Sequence, residues 1–104
     1  MTQQDYIRAV REIYTQMPNT SGRFSRSDRE LAHALYQRGI PIPILRSALL
    51  LGTARRVCRI PAGAPLPPVR SLHYFLPVLD EILLQPLTNG YLQYLESKIA
   101  QQNR

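Results

Sequence analysis

The chain has 104 residues, of which 44% are hydrophobic and 19% charged, and it carries a formal net charge of +6. That length suits one domain with a modest core, and the composition argues against a disordered chain. No apolar run is long enough to cross a bilayer, and a single cysteine, Cys58, allows neither an internal disulfide nor an all-cysteine metal site, which argues against a membrane protein and a secreted disulfide scaffold.

Apolar positions recur at helical spacing almost throughout, with no strong strand signal. The first helix is expected from Gln3 to Met17, opened by a box-like Thr2 and Asp5. Tyr6, Val10, Ile13 and Met17, with Ile7 and Tyr14 beside them, form its inward stripe. Arg8, Arg11, Glu12, Thr15 and Gln16 take the other face. Pro18 stops the helix, and a loop follows to Arg26 with Asn19, Ser21 and Gly22 as turn formers. Ser27-Asp28-Arg29-Glu30 matches a capping box, so the second helix is expected to begin there, with Ser25 and Asp28 as the alternative capping pair. It would bury Leu31, Ala34 and Leu35 and stop at Gly39. Ile40-Pro41-Ile42-Pro43 is a short rigid connection. Proline is tolerated in a first helical turn, so the third helix begins at Pro41 or Pro43 and runs to about Arg59.

Residues 60–70 hold Pro61, Pro65, Pro67 and Pro68 with Gly63, a density that no helix survives, and read as an extended linker. A spacer that lets the next helix pack back is preferred to a ligand for a proline-binding domain. Ser71 caps a fourth segment, Leu72 to Leu84. Pro77 falls inside it and demands either a kink or a short helix ending near Phe75 with a new start at Pro77. Leu72, Phe75, Leu76, Leu79, Ile82 and Leu83 would complete the core, and Pro86 ends the segment. Thr88-Asn89-Gly90 caps a last helix, Tyr91 to about Gln101, with Tyr91, Leu92, Leu95 and Ile99 inward and residues 102–104 frayed. The expected fold is all-α: one compact bundle of five or six helices over residues 1–104, containing a helix-turn-helix-like pair and a Pro-rich connection.

Charge is unevenly spread. Residues 1–70 hold eleven Arg against Asp5, Glu12, Asp28 and Glu30, a balance of +7, whereas residues 71–104 hold Lys98 and Arg104 against Asp80, Glu81 and Glu96, a balance of −1. Phosphate contacts would then come from the first part, the alternative being a solubilising surface. The start Met1-Thr2-Gln3-Gln4-Asp5 has neither the basic nor the apolar region of a signal peptide, so a cytoplasmic location and a reduced Cys58, acting as a small core residue, are expected.

The most informative stretch is Asp28 to Arg59. Leu31-Ala32, Leu35, Gly39-Ile40-Pro41 and Ala48-Leu49 place a compact helix, a tight turn with glycine and a second helix in order. In this pattern the stretch resembles helix-turn-helix DNA-binding domains, with two prolines in the connection and a long, apolar second helix as departures. More loosely, the whole arrangement looks like small replication-associated proteins of mobile elements. The resemblance implies DNA as a partner and a role in replication or mobile-element maintenance.

A helical wheel over the third helix sets Ile44, Leu50, Leu51, Ala54, Val57 and Cys58 on one broad side. Arg55, Arg56 and Arg59 lie on the other with Ala48 and Gly52, and Arg46 lies at its edge. Arginines beside small residues suit close approach to a phosphate backbone. The competing reading is a central core helix whose terminal arginines answer its own dipole. Leu45 and Leu49 share the arginine side, and their exposure as one apolar patch would favour a protein partner. Arg23, Arg26 and Arg29, with Phe24, form a second basic cluster at the start of the second helix, placed to hold a phosphate. Phe24 either closes over the core, the commoner arrangement, or stacks on a base. The six tyrosines are spread over four helices and read as core-edge residues, not as a stacking platform.

Catalysis finds little support. His33 and His73 are far apart and read as structural, there is no Gly-rich phosphate loop, and the adjacent Asp80 and Glu81 do not face each other on a helix. The reading is a non-enzymatic nucleic-acid-binding protein, with DNA the expected ligand and Arg23, Arg26, Arg29, Arg46, Arg55, Arg56 and Arg59 its contacts. No cofactor, metal or membrane is called for. The alternative is a protein–protein interaction module, a homodimer or a small helical subunit of a larger nucleoprotein complex.

Overall fold

A computed structural model describes residues 1–18, 20–58 and 67–102, the side chains of 57, 58 and 102 excepted. The expectations for Asn19, Arg59, the Cys58 side chain, most of the Pro-rich connection and the end of the tail lie outside the described residues. Within them the chain is an all-α bundle of five helices with no strand. A lone bridge pairs Thr20 with Val69, closed by the Ser21 N–H donating to the Val69 carbonyl at 2.9 Å.

Helix α1 spans Gln3–Gln16. Thr2 and Asp5 cap it reciprocally, the Asp5 N–H donating to Thr2 Oγ1 and the Thr2 N–H to the Asp5 carboxylate. Its deepest residues are Tyr6, Val10 and Tyr14, one turn apart, while Ile7, Ile13 and Met17 flank them half-buried. Both buried phenols are satisfied: Tyr6 donates to the Ile40 carbonyl at 2.7 Å and Tyr14 to the Val69 carbonyl at 3.3 Å. These bonds tie α1 to two distant connections, and burying a phenol without such a partner would cost free energy.

Helix α2 spans Arg26–Gln37 and starts two residues earlier than Ser27-x-x-Glu30 predicts. Ser25 is the cap: its hydroxyl accepts the Asp28 N–H at 3.1 Å, and the Asp28 carboxylate accepts the Ser25 N–H at 2.9 Å. The two boxes overlap, and the one whose acid also has tertiary partners prevails. Glu30 instead lies 3.5 Å from Arg26 on the open surface. Ser25→Ala is therefore expected to cost about 0.5–2 kcal/mol in urea melts, and Ser27→Ala to leave the midpoint unchanged. The reverse ranking would put the cap back at Ser27. The buried residues of α2 are Asp28, Ala32 and Leu35, whereas Ala34, expected inward, is exposed. Gly39, at φ +74°, ends the helix: its N–H donates to the Tyr36 carbonyl and that of Ile40 to the Leu35 carbonyl, the pair of bonds of a Schellman close.

Helix α3, Ile42–Cys58, is the axle of the bundle. Leu45 and every residue from Ser47 to Ala54 are buried. It packs chiefly against α4, Leu76–Leu84, and α5, Asn89–Gln102, and also against α1. A helix apolar on most of its circumference is a core helix. Ser71 caps a 3₁₀ turn, Leu72–Phe75, and α4 follows with Pro77 in its first turn, so the break forced by Pro77 falls where one of the two sequence alternatives puts it. Thr88 Oγ1 accepts the Tyr91 N–H, and α5 begins at Asn89, not Tyr91. Leu83 and Tyr91, both expected inward, are exposed.

Gly52 is where α3 and the 3₁₀ turn come closest. A Cβ there would lie 2.6 Å from Phe75 Cδ1 and 2.9 Å from Cε1. The Phe75 ring is buried and held edge-on by Tyr14 and Tyr74, so it has little room to yield. Overpacking typically costs about 1–3 kcal/mol, more than the roughly 1 kcal/mol that alanine gains over glycine in a helix. Gly52→Ala should lower the melting midpoint, and a rise would mean that the Phe75 ring moves aside freely.

Candidate nucleic-acid interface

The arginines of α3 do not form one free basic face. Arg46 pairs with Glu96 of α5. Arg55 grips Glu81 of α4 with two parallel bonds of 2.7 and 2.9 Å. That fork holds the Glu81 carboxyl below its ordinary range and pushes the Arg55 guanidinium up, each through the hydrogen bonds between them first. Arg56 turns elsewhere, donating to the Pro67 carbonyl and lying 5.5 Å from the centre of the Tyr74 ring. Ala48 and Gly52, expected to let a phosphate backbone approach, are buried, and the close neighbour of Gly52 is Phe75. The small residues of this side thus pack in the core, and Arg46 and Arg55 tie α3 to α5 and α4. Leu45 and Leu49 are also buried, so the apolar patch that would favour a protein partner at this helix does not exist.

The second expected cluster is regrouped. Arg23 and Arg26 lie exposed at the loop and the first residue of α2, with Arg26 beside Glu30. Arg29 turns toward α1. There it meets Arg8 and Arg11 across an open cleft of about 280 Å³, completed by Gln4 and the half-buried Ile7. Arg8 and Arg11 stand three residues apart on α1, which puts them on one helical face with Gln4 one turn before Arg8. The packing of α2 on α1 brings Arg29 to the same cleft. None of these three arginines has an ion-pair partner among the described residues, although Arg8 adds its charge to the Thr2 hydrogen bonds that hold the Asp5 carboxyl below its ordinary range. Residue-by-residue reading assigns Arg8 and Arg11 merely to a solvated face. The signal available was their i, i+3 spacing, but Arg29 joins them only through tertiary packing.

Phe24 closes over the core, half-buried and 6.3 Å from the Tyr14 ring. His33 bonds the Gln3 side chain, and His73 bonds the Ser71 hydroxyl at 2.9 Å, so each histidine sits in a separate local contact. Tyr36 rests on Tyr6, while Tyr91 and Tyr94 of α5 stack on each other at 6.0 Å. Among the described residues no cluster of three metal-ligating side chains exists, and no helix is long and apolar enough to cross a membrane.

No family model, no curated protein and no solved structure matches this chain. The functional reading therefore rests on the chain's own chemistry.

Proposed function

We propose that this chain is a non-enzymatic nucleic-acid-binding protein with DNA as its ligand, acting in replication or in the maintenance of mobile elements. The observation that carries the reading is the cleft between α1 and α2, which is lined by Arg8, Arg11 and Arg29, none of them in a salt bridge among the described residues. Guanidinium forks bind phosphate oxygens in pairs, and an open cationic cleft on a chain of net charge +6 draws a polyanion from a distance. Arg23 and Arg26 extend the positive surface along the entrance to α2. The sequence resemblance of Asp28 to Arg59 to helix-turn-helix domains is a second support for DNA as the ligand. With α3 buried, however, the residues that meet phosphate on this reading are those of α1 and α2. Contacts of that kind set affinity and register and leave sequence unread.

The test is a titration of the full chain against labelled duplex DNA, single-stranded DNA and RNA at two salt concentrations. Binding to duplex DNA that weakens steeply with salt is the expected result. No binding to any of them at low salt and micromolar protein would overturn the reading in favour of a protein–protein module.

A further inference from the structure

Of the aromatic pairs among the described residues, only Tyr91 and Tyr94 leave both rings in solvent, at 43% and 53% exposure. Every other pair has at least one ring in the core. The two rings stand 6.0 Å apart and within 25° of parallel, because a spacing of three residues puts them on one face of α5. They line a cleft of about 350 Å³ whose α3 side is Leu51, Ala54 and Arg55. Lys98 lines the same cleft one turn beyond Tyr94, and its ammonium lies 5.7 Å from the centre of the Tyr94 ring. No residue of this cleft also lines the one between α1 and α2.

The cleft offers aromatic surface and positive charge, and no carboxylate lines it. Of its two cations, Arg55 is held by Glu81, whereas Lys98 has no ion-pair partner among the described residues. Lys98 is half-buried, so its ammonium stands beside the rings without a counter-charge. Stacked rings with a free cation at their end match the repeat of a single nucleic-acid strand, in which each base offers a π-face and each phosphate calls for a cation. Duplex DNA does not fit the same site, because its base faces are covered by their neighbours. We propose that the cleft between α3 and α5 binds single-stranded DNA, with Tyr91 and Tyr94 stacking on unpaired bases and Lys98 meeting the adjoining phosphate. The inference rests on the nucleic-acid reading above and adds a second site to it. The arginines of α1 and α2 take phosphate from either form of DNA, and the tyrosines take only a strand whose bases are free.

The test is a set of anisotropy titrations of the full chain with labelled oligothymidylate, an abasic strand of the same length, and duplex DNA. The parent should bind oligothymidylate about tenfold more tightly than the abasic strand, the share that stacking supplies. Tyr91→Leu combined with Tyr94→Leu keeps apolar bulk and removes the aromatic faces. Both positions are exposed, so its helical circular dichroism should match that of the parent. This variant should lose about tenfold in affinity for oligothymidylate, and with it the preference over the abasic strand, while its duplex affinity stays unchanged. Tyr91→Phe combined with Tyr94→Phe should bind as the parent does, because stacking needs the ring and not the hydroxyl. Lys98→Gln should make the salt slope on oligothymidylate shallower by about 0.7, the counterion release of one single-strand phosphate. A parent that binds the two strands equally, or a leucine variant that keeps the preference, overturns this proposal and leaves the reading of the α1–α2 cleft standing. Displacement of the strand by an equal nucleotide concentration of free thymidine monophosphate also overturns it, in favour of a nucleotide pocket. Absence of binding to every probe overturns both.

Discussion

Asp28→Ala should cost about 3–5 kcal/mol of folding free energy, because three donors lose their acceptor at one buried point. The Asp28 carboxylate is fully buried. One oxygen accepts the Ser25 N–H at 2.9 Å, and the other accepts the Leu72 N–H at 2.9 Å and the Ser71 hydroxyl at 3.2 Å. It caps α2 and, through the same group, holds the start of the 3₁₀ turn after the Pro-rich connection. No cation pairs with it among the described residues, so the N–H and O–H donors alone carry its charge. Burial by itself pushes this carboxyl up, but the bonds from Ser25, Leu72 and Ser71 outweigh it and hold the group below its ordinary 3.8. The folded protein thus binds the proton less readily than the unfolded chain. Asp28 contributes its full share of stability above that ordinary value and loses it as pH falls through the depressed one. Urea melts at neutral pH should show the loss for Asp28→Ala and a smaller one for Asp28→Asn, which keeps one acceptor. The variant's stability should then fall less steeply in acid than that of the parent. Equal stability of Asp28→Asn and the parent at neutral pH would mean that the charge itself contributes nothing.

The same carboxylate marks the limit of what the sequence discloses. Ser25/Asp28 and Ser27/Glu30 are overlapping capping patterns, and local chemistry favours the longer acid at the third position. What decides is Leu72, a contact more than forty residues away that periodicity does not register. Features set within one or two turns are legible: the Thr2 and Asp5 cap, the Gly39 stop and the break near Pro77 all fall where the residues place them. For α3 the physical inference from small residues was sound but its object was different. Ala48 and Gly52 do permit a close approach, made by packed side chains such as the Phe75 ring and not by a phosphate backbone. Arg55 illustrates the same ambiguity, since a guanidinium fork that fits phosphate fits the Glu81 carboxylate equally well. The all-α fold was readable because helical spacing is local. The cleft was not, because Arg29 reaches Arg8 and Arg11 only once α1 and α2 pack.

Replacing Arg8, Arg11 and Arg29 together with glutamine should have the largest effect on binding. Each phosphate neutralised on duplex DNA releases condensed counterions and adds about −0.9 to the slope of log affinity against log salt concentration. Three contacts make the parent slope steeper by about 2.7, and the triple variant should lose that share and bind about a hundredfold more weakly at low salt. The loss should be uniform over unrelated DNA sequences, because backbone contacts carry no base information. Folding should survive, since Arg8, Arg11 and Arg29 are exposed and have no ion-pair partner among the described residues, and surface changes of this kind shift stability by about 0.5 kcal/mol or less each. Arg46→Gln with Arg55→Gln is the informative contrast. Those guanidiniums already hold Glu96 and Glu81, so their removal should leave the slope nearly unchanged and instead loosen the contacts of α3 with α5 and α4. Fluorescence anisotropy titrations at about 50 and 200 mM salt, paired with thermal melts, separate the two sites. If the slope falls with the α3 pair and persists in the triple variant, DNA meets α3 after all and its ion pairs open on binding. If both variants keep the parent slope, the phosphate contacts lie elsewhere on the chain, with Arg23 and Arg26 the next residues to replace.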